Sequence, residues 1–327
     1  MCQGLSLGLR YADREKIKKE WRNDMKYFDL AGNRASRVAQ GCMRITSLNP
    51  QQLDALVKRD LELGINFFDH ADIYGGGECE RMFGEFLKEN PSLRGEMLIQ
   101  TKCAIRPDCY DFSKEHILTS VEGSLKRLNI ETIDFLLLHR PDTLCEPQEV
   151  AEAFSVLREQ GKVRNFGVSN ANPYQIQLLN QHLNEKILIN QLQFGLGHTT
   201  MVDAGLNVNM DNDPAVNRDG GILDFCRLNQ ITIQPWSPFQ YGFFSGTFIG
   251  NPNFKELNSK LEEISEKYAI TPTGLSIAWI LRHPACMQPI VGSVNTERMK
   301  AVVDASDVTI TRQEWYELYC ATGKTLP

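Results

Sequence analysis

The sequence predicts a single (β/α)8 barrel, with a β-hairpin plugging one end and long loops at the end where the strands finish. Two observations carry this expectation. From residue 37 onward, eight short apolar runs with β-branched and aromatic character recur along the 327-residue chain. Between them lie segments such as NPQQLDALVKRDLELG and SKEHILTSVEGSLKRLN, whose apolar residues fall three and four apart, the spacing of an amphipathic helix. Eight strand–helix alternations over roughly 250 residues are what a closed parallel barrel requires. A doubly wound open sheet seldom shows eight such units without a second domain.

The strands are expected, in order, at RVAQGCM (37–43), INFFD (65–69), EMLIQTK (96–102), IDFLLLH (133–139), KVRNFGVSN (162–170), ILINQ (187–191), ITIQPW (231–236) and MQPIVGS (287–293). Ahead of the first, MKYFDLAGNRASRVAQG reads as two short strands around a turn at Gly32-Asn33, the hairpin plug. No Pro/Ser-rich linker divides the chain. The organisation is therefore an N-terminal extension, 1–24, and one barrel domain, 25–327. Two long insertions follow strands six and seven, at 194–221 and 239–254; long loops in a compact domain are usually functional. The first is expected to lie over a substrate pocket.

Composition narrows the function class. A formal net charge of −6, with no basic cluster interleaved with aromatics, argues against a nucleic-acid partner. No apolar run approaches a membrane span, and the first residues lack the apolar core of a signal peptide. Nine cysteines without a CxxC pair read as reduced thiols of a cytoplasmic protein. Cys103 and Cys109 fall near the chemistry below, yet a free cysteine behaves more often as a small apolar residue. No residue pattern assigns an oligomeric state.

In a barrel of this kind, chemistry belongs at the C-terminal ends of the strands. Those ends carry Asp69, Lys102, His139, Ser169 and Asn170, Gln191, Trp236 and Ser293. One polar strand end is a common cap; seven converging on one mouth describe an active site. The stretch FFDHADIYGGGECE (67–80) admits three readings. A metal site is disfavoured because strand alternation sends Asp69 and His70 to opposite faces, and no H-x-H or HExxH occurs. A dinucleotide phosphate loop fails on spacing, since Glu80 stands where the third glycine belongs, so Gly75 to Gly77 read as a flexible turn. What remains is a proton relay of Asp69, Tyr74, Lys102 and His139.

At this point the chain resembles an aldo-keto reductase, on the branch that includes potassium-channel β-subunits. The matching motifs are GINFFDHADIYG with ECERMFGEFL, LIQTK, IDFLLLHRPD, GKVRNFGVSN, ILINQLQF, PWSPF and PIVGSVNTER, in family order over residues 37 to 304. The resemblance implies reduction of aldehydes or ketones with NADPH, with no nucleic-acid or membrane partner. Tyr74 would be the general acid, Lys102 its tuner, Asp69 the partner of Lys102, and His139 the group orienting the carbonyl. An unperturbed phenol titrates near 10, and a neighbouring ammonium is expected to lower that value.

The resemblance also implies a cofactor site. Ser169, Asn170 and Gln191 would hold the nicotinamide carboxamide, Trp236 would stack on its ring, and Ser237, Phe239 and Gly242 would line the pyrophosphate path. Gly292, Ser293, Asn295 and Arg298 form a strand end and helix start suited to a 2′-phosphate, Asn295 capping the helix. Many members carry Lys where Gly292 stands, which loosens the expected preference for NADPH over NADH. The substrate pocket is expected at Met43, Ile105, Arg140 and Phe194. The rival implication is an NADPH-binding regulatory subunit with little turnover, as in the channel β-subunits. A hydrolase on the same barrel is weaker, because no metal-ligand set or paired catalytic acids emerge.

Overall fold

The computed structural model describes residues 27–327, so the expected extension at 1–24 lies outside the described residues. Eight parallel strands close into a barrel, and all eight overlap the runs read from the sequence. They are β3 (Ala39–Gly41), β4 (Phe67–Asp69), β5 (Leu98–Cys103), β6 (Ile133–Leu138), β7 (Val163–Ser169), β8 (Ile189–Gln193), β9 (Thr232–Trp236) and β10 (Ile290–Val291). Each pairs with its neighbours in chain order, and β10 pairs with β3 to close the ring. Among the described residues no helix is long and apolar enough to cross a membrane.

The helices α1 (Pro50–Glu62), α2 (Glu78–Glu89), α3 (Lys114–Leu128), α4 (Pro147–Glu159) and α5 (Pro173–Asn180) follow β3 to β7 in turn. Their starts are written locally. Asn49 and Asn172 each form a capping box with Gln52 and Gln175, with proline at the first helical position. After β8 come α6 (Thr200–Leu206) and α7 (Ile222–Leu228); after β9 come α8 (Lys255–Lys267) and α9 (Pro272–Leu281). The chain ends with α10 (Thr296–Ala305) and α11 (Arg312–Cys320).

The hairpin pairs β1 (Tyr27–Leu30) with β2 (Asn33–Ser36), but its turn is one residue earlier than expected. Ala31 and Gly32, not Gly32 and Asn33, occupy the two left-handed positions, at φ 53° and 81°. A two-residue hairpin of the favoured hand needs positive φ at both positions. Here the Asp29 carboxylate accepts from the Gly32 amide, and the Asn33 side chain donates back to Leu30 O. The register sends Leu30 and Ala35 into an apolar layer with Phe67, Leu98, Phe135 and Ile290, which closes the bottom of the barrel.

Above that layer the barrel axis is polar. Gln288 Nε2 donates to Ser36 O at 2.7 Å, and Gln288 Oε1 accepts from Gln234 Nε2 at 2.8 Å. Gln234 Oε1 in turn accepts from Gln100 (2.8 Å) and Gln191 (3.0 Å), and both of those amides donate to Asp69 Oδ1. A chain of glutamines thus links the plug to the site. Strand alternation builds it: in β4 and β5, Phe67, Asp69, Leu98, Gln100 and Lys102 point inward, while Phe68 and Ile99 join the outer core.

Candidate active site

The four residues expected to be catalytic come together from three strands and one turn. Lys102 is 0 % exposed and Asp69 2 %. Lys102 Nζ donates to Asp69 Oδ2 at 2.8 Å, to His70 O at 2.7 Å and to Tyr74 OH at 3.0 Å. The three hydrogens of the ammonium therefore have three acceptors, which is what a buried cation needs. The Tyr74 ring stands edge-on to His139, centroids 5.9 Å apart. Tyr74 opens the expected turn into a helix, Tyr74–Gly77, in which Gly75, Gly76 and Gly77 are all left-handed, at φ 59°, 65° and 91°. Three consecutive positive φ values are accessible at low cost only to glycine, and they reverse the chain between Tyr74 and α2.

Glu80 does not face the mouth. It is buried behind the barrel, where its carboxylate accepts from Thr101 (2.5 Å) and pairs with Arg127 (2.7 Å). His70 also points outward, its ring against Phe83 at 4.6 Å, with neither nitrogen hydrogen-bonded. Burial, helped by the Lys102 charge, lowers it to about 3, so it is a neutral packing residue.

One electrostatic expectation is reversed. Burial pushes the Tyr74 phenol up more than the Lys102 ammonium pulls it down, leaving its pKa above the ordinary 10.0. For Lys102, burial favours the neutral amine, but Asp69 and Tyr74 more than offset it, so it stays charged. His139 is held well below 6.5 by burial first, then by the charges of Lys102 and Arg140. At neutral pH the set is a protonated phenol, an ammonium–carboxylate pair and a neutral imidazole.

Asp69, Tyr74 and His139 open onto a cleft of about 650 Å³, within the size range of small-molecule sites, while Lys102 lies beneath it. A larger cavity of about 770 Å³ lies between the 200–224 segment and α11; none of the four residues expected to be catalytic lines it. Ser169, Asn170, Gln191 and Trp236 line the smaller cleft together. Trp236 Nε1 donates to Asn170 Oδ1 at 3.1 Å, and Asn170 Nδ2 donates to Ser169 Oγ at 2.7 Å, which fixes the indole plane. Ser237, Phe239, Gly292, Ser293 and Arg298 line the same cleft, as do Met43, Ile105 and Arg140.

Three residues expected to bind cofactor or substrate do not line it. Phe194 is fully buried against Trp279 (centroids 5.3 Å apart), because the 194–221 insertion folds toward the C-terminus instead of over the mouth. That insertion is anchored at Asp203 of α6, which accepts from Tyr319 (3.0 Å) and pairs with Lys324 (2.6 Å). Gly242 lies outside the lining, its carbonyl accepting from Gln193. Asn295 caps α10 as expected, its side chain accepting from the Arg298 amide at 2.9 Å, but it too stays off the cleft wall. The wall instead includes Phe243 and Phe244 from the second insertion, which pack on Trp236. Arg44, three residues after β3, also lines it without having been singled out. The insertion's length signalled a loop at the site; nothing marked which of its aromatics would reach the indole.

The cleft suits a dinucleotide. A Cβ built on Gly292 would meet no atom nearer than 3.9 Å and would project into free space, so the backbone stays open to a ligand there. At the far end Arg298 stands in the first turn of α10, without an ion pair among the described residues. A free guanidinium beside a helix N-terminus is built for a phosphate. No group of three or more His, Cys, Asp or Glu that could hold a metal occurs among the described residues.

Comparison with known proteins adds a second line. The family model described as "Aldo/keto reductase family" matches residues 37–319. An uncharacterized oxidoreductase of Bacillus subtilis, YcsN, is 36 % identical over 308 residues, covering 89 % of this chain and 96 % of its own. A 6-dehydroglucose reductase of Agrobacterium fabrum is 34 % identical over 304 residues, with 88 % and 95 % covered. Among solved structures, the thermostable aldo-keto reductase Tm1743, in complex with the inhibitor epalrestat, superposes with a TM-score of 0.71 at 23 % identity. It covers 90 % of this chain and 99 % of that one, a likeness of fold.

Proposed function

Because the chain belongs to the aldo/keto reductase family, we propose that it is an NADPH-dependent oxidoreductase that reduces aldehydes or ketones to alcohols, with Tyr74 as proton donor. The observation that carries this reading is Lys102, an ammonium with no exposed surface, bonded at once to Asp69 and to the Tyr74 hydroxyl. Bound NADPH supplies a hydride to the carbonyl carbon. Everything else falls to the protein's own groups. Tyr74 keeps its proton until negative charge develops on the carbonyl oxygen, then gives it up; Lys102 stabilises the phenolate left behind. The upward shift of Tyr74 favours this direction, since an acid must be protonated at the working pH. Neutral His139 can donate a hydrogen bond to the same oxygen without adding a charge.

Trp236 offers a flat face for the nicotinamide, Ser169, Asn170 and Gln191 offer amide and hydroxyl partners for its carboxamide, and Arg298 a partner for the 2′-phosphate. The eight described cysteines are free thiols, in keeping with a reducing, cytoplasmic setting. The test is incubation with NADPH and a panel of aldehydes, ketones and quinones, following loss of the reduced cofactor and the alcohol by mass. A chain that binds NADPH tightly yet yields no reduced product from any of them would support the regulatory-subunit reading instead.

A further inference from the structure

The cleft carries a positive charge that the proposed chemistry does not use. Among the residues lining it, Asp69 is the sole carboxylate, and it is committed to Lys102. Three guanidiniums line it: Arg298 at the cofactor end, Arg44, and Arg140, which directly follows His139. Arg140 is half-buried, and among the described residues it has no carboxylate or hydrogen-bonding partner. Its guanidinium carbon lies 5.9 Å from the Trp236 ring centroid and 5.8 Å from that of Phe243. Aromatic contacts hold the group in place without using its N–H donors, so its planar fork remains free for an oxyanion. Its charge is already felt at the site, because it helps to hold His139 neutral. The same cleft is walled in part by Met43, Ile73 and Tyr110, which are apolar or aromatic and solvent-facing.

Resting on the reduction reading above, we propose that Arg140 selects carbonyl substrates bearing a carboxylate on an apolar or aromatic body. The carboxylate docks on the guanidinium while the carbonyl oxygen faces Tyr74 and His139. A planar, singly charged carboxylate matches one free guanidinium fork, and a partly desolvated cation without a counter-ion is the group that gains most from such a ligand.

The test uses two matched substrates, para-carboxybenzaldehyde and its methyl ester, with wild type, Arg140→Gln and Arg140→Lys, each first shown to melt as wild type does. Binding of benzoate and of benzamide to the NADPH-saturated protein is read in parallel from tryptophan fluorescence. Wild type should favour the acid over the ester by about tenfold or more in kcat/KM, the size expected of a hydrogen-bonded charge pair. Arg140→Gln should bring that ratio close to one and abolish the preference for benzoate over benzamide, whereas Arg140→Lys should keep part of both. Equal use of acid and ester by wild type, or a preference that survives Arg140→Gln, overturns the proposal while leaving reduction itself intact. Arg140-dependent benzoate binding with no aldehyde reduced would uphold the anion site and sink the reduction reading instead.

Discussion

Lys102 is shared by two groups: Asp69, its counter-charge, and Tyr74, whose hydroxyl accepts from it and whose phenolate it would stabilise in the proposed reaction. Lys102→Met keeps an apolar stem but strands the Asp69 carboxylate in the barrel, and breaking such a buried pair costs about 3–5 kcal/mol. Adding Asp69→Asn removes the stranded charge, so the double variant should recover part of the stability but no activity. Denaturant unfolding and turnover of both single variants and the double check this; strictly additive stability losses would contradict the pairing. Arg298→Ala should weaken NADPH binding by about 1.5–3 kcal/mol and barely touch NADH, as titration of the two cofactors would show. At this scale three of the four residues proposed as catalytic, Asp69, Lys102 and His139, are legible in the sequence because each stands at or just beyond a strand end, and Tyr74 because it follows in the FFDHADIYG motif. The direction of the Tyr74 shift is not. It depends on how deeply the phenol is buried, a property of the whole barrel mouth that no local motif encodes.

Among the elements, the eight strands and the helices between them are legible because period-2 and period-3.6 patterns survive tertiary context. Where the 194–221 insertion goes is not. Its direction rests on Asp203 meeting Tyr319 and Lys324, more than a hundred residues away, and Phe194 follows it into the core. The hairpin register slipped by one residue for a similar reason: the choice was made by Leu30 and Ala35 needing the barrel floor. Close packing of α2 on α3 gives a sharp test. A Cβ on Gly84 would sit 2.1 Å from Arg127 O, in the last turn of α3, a backbone atom that cannot swing aside. Gly84→Ala should therefore cost at least about 1–3 kcal/mol, the usual penalty of overpacking, and lower the Tm accordingly. An unchanged Tm would mean the two helices lie farther apart than described.

For the molecule as a whole, the buried groups behind the barrel wall set the response to acid. His70 titrates at about 3 when folded and at 6.5 when free, so between those values the unfolded chain binds a proton that the native state refuses. Stability from this group is therefore present above pH 6.5 and lost as pH falls toward 3. Asp72 works the other way: burial and the Glu80 charge raise it from 3.8 to about 7, so its native form binds the proton first and gains stability as pH falls through that window. Replacing His70 with Leu should leave the acid limb shallower than in wild type, measured by denaturant unfolding at several pH values. Parallel curves for the two proteins would show that His70 is not buried neutral.

The Tyr74 hydroxyl carries the proposed chemistry. Wild type and Tyr74→Phe should be compared for NADPH affinity and for single-turnover reduction of one reactive aldehyde. The variant removes the proton donor alone, leaving Trp236, Ser169 and Arg298 in place. It should bind NADPH as wild type does and lose at least about two orders of magnitude in the rate of alcohol formation, within the range for general acid catalysis. A variant that reduces the aldehyde at the wild-type rate would contradict it.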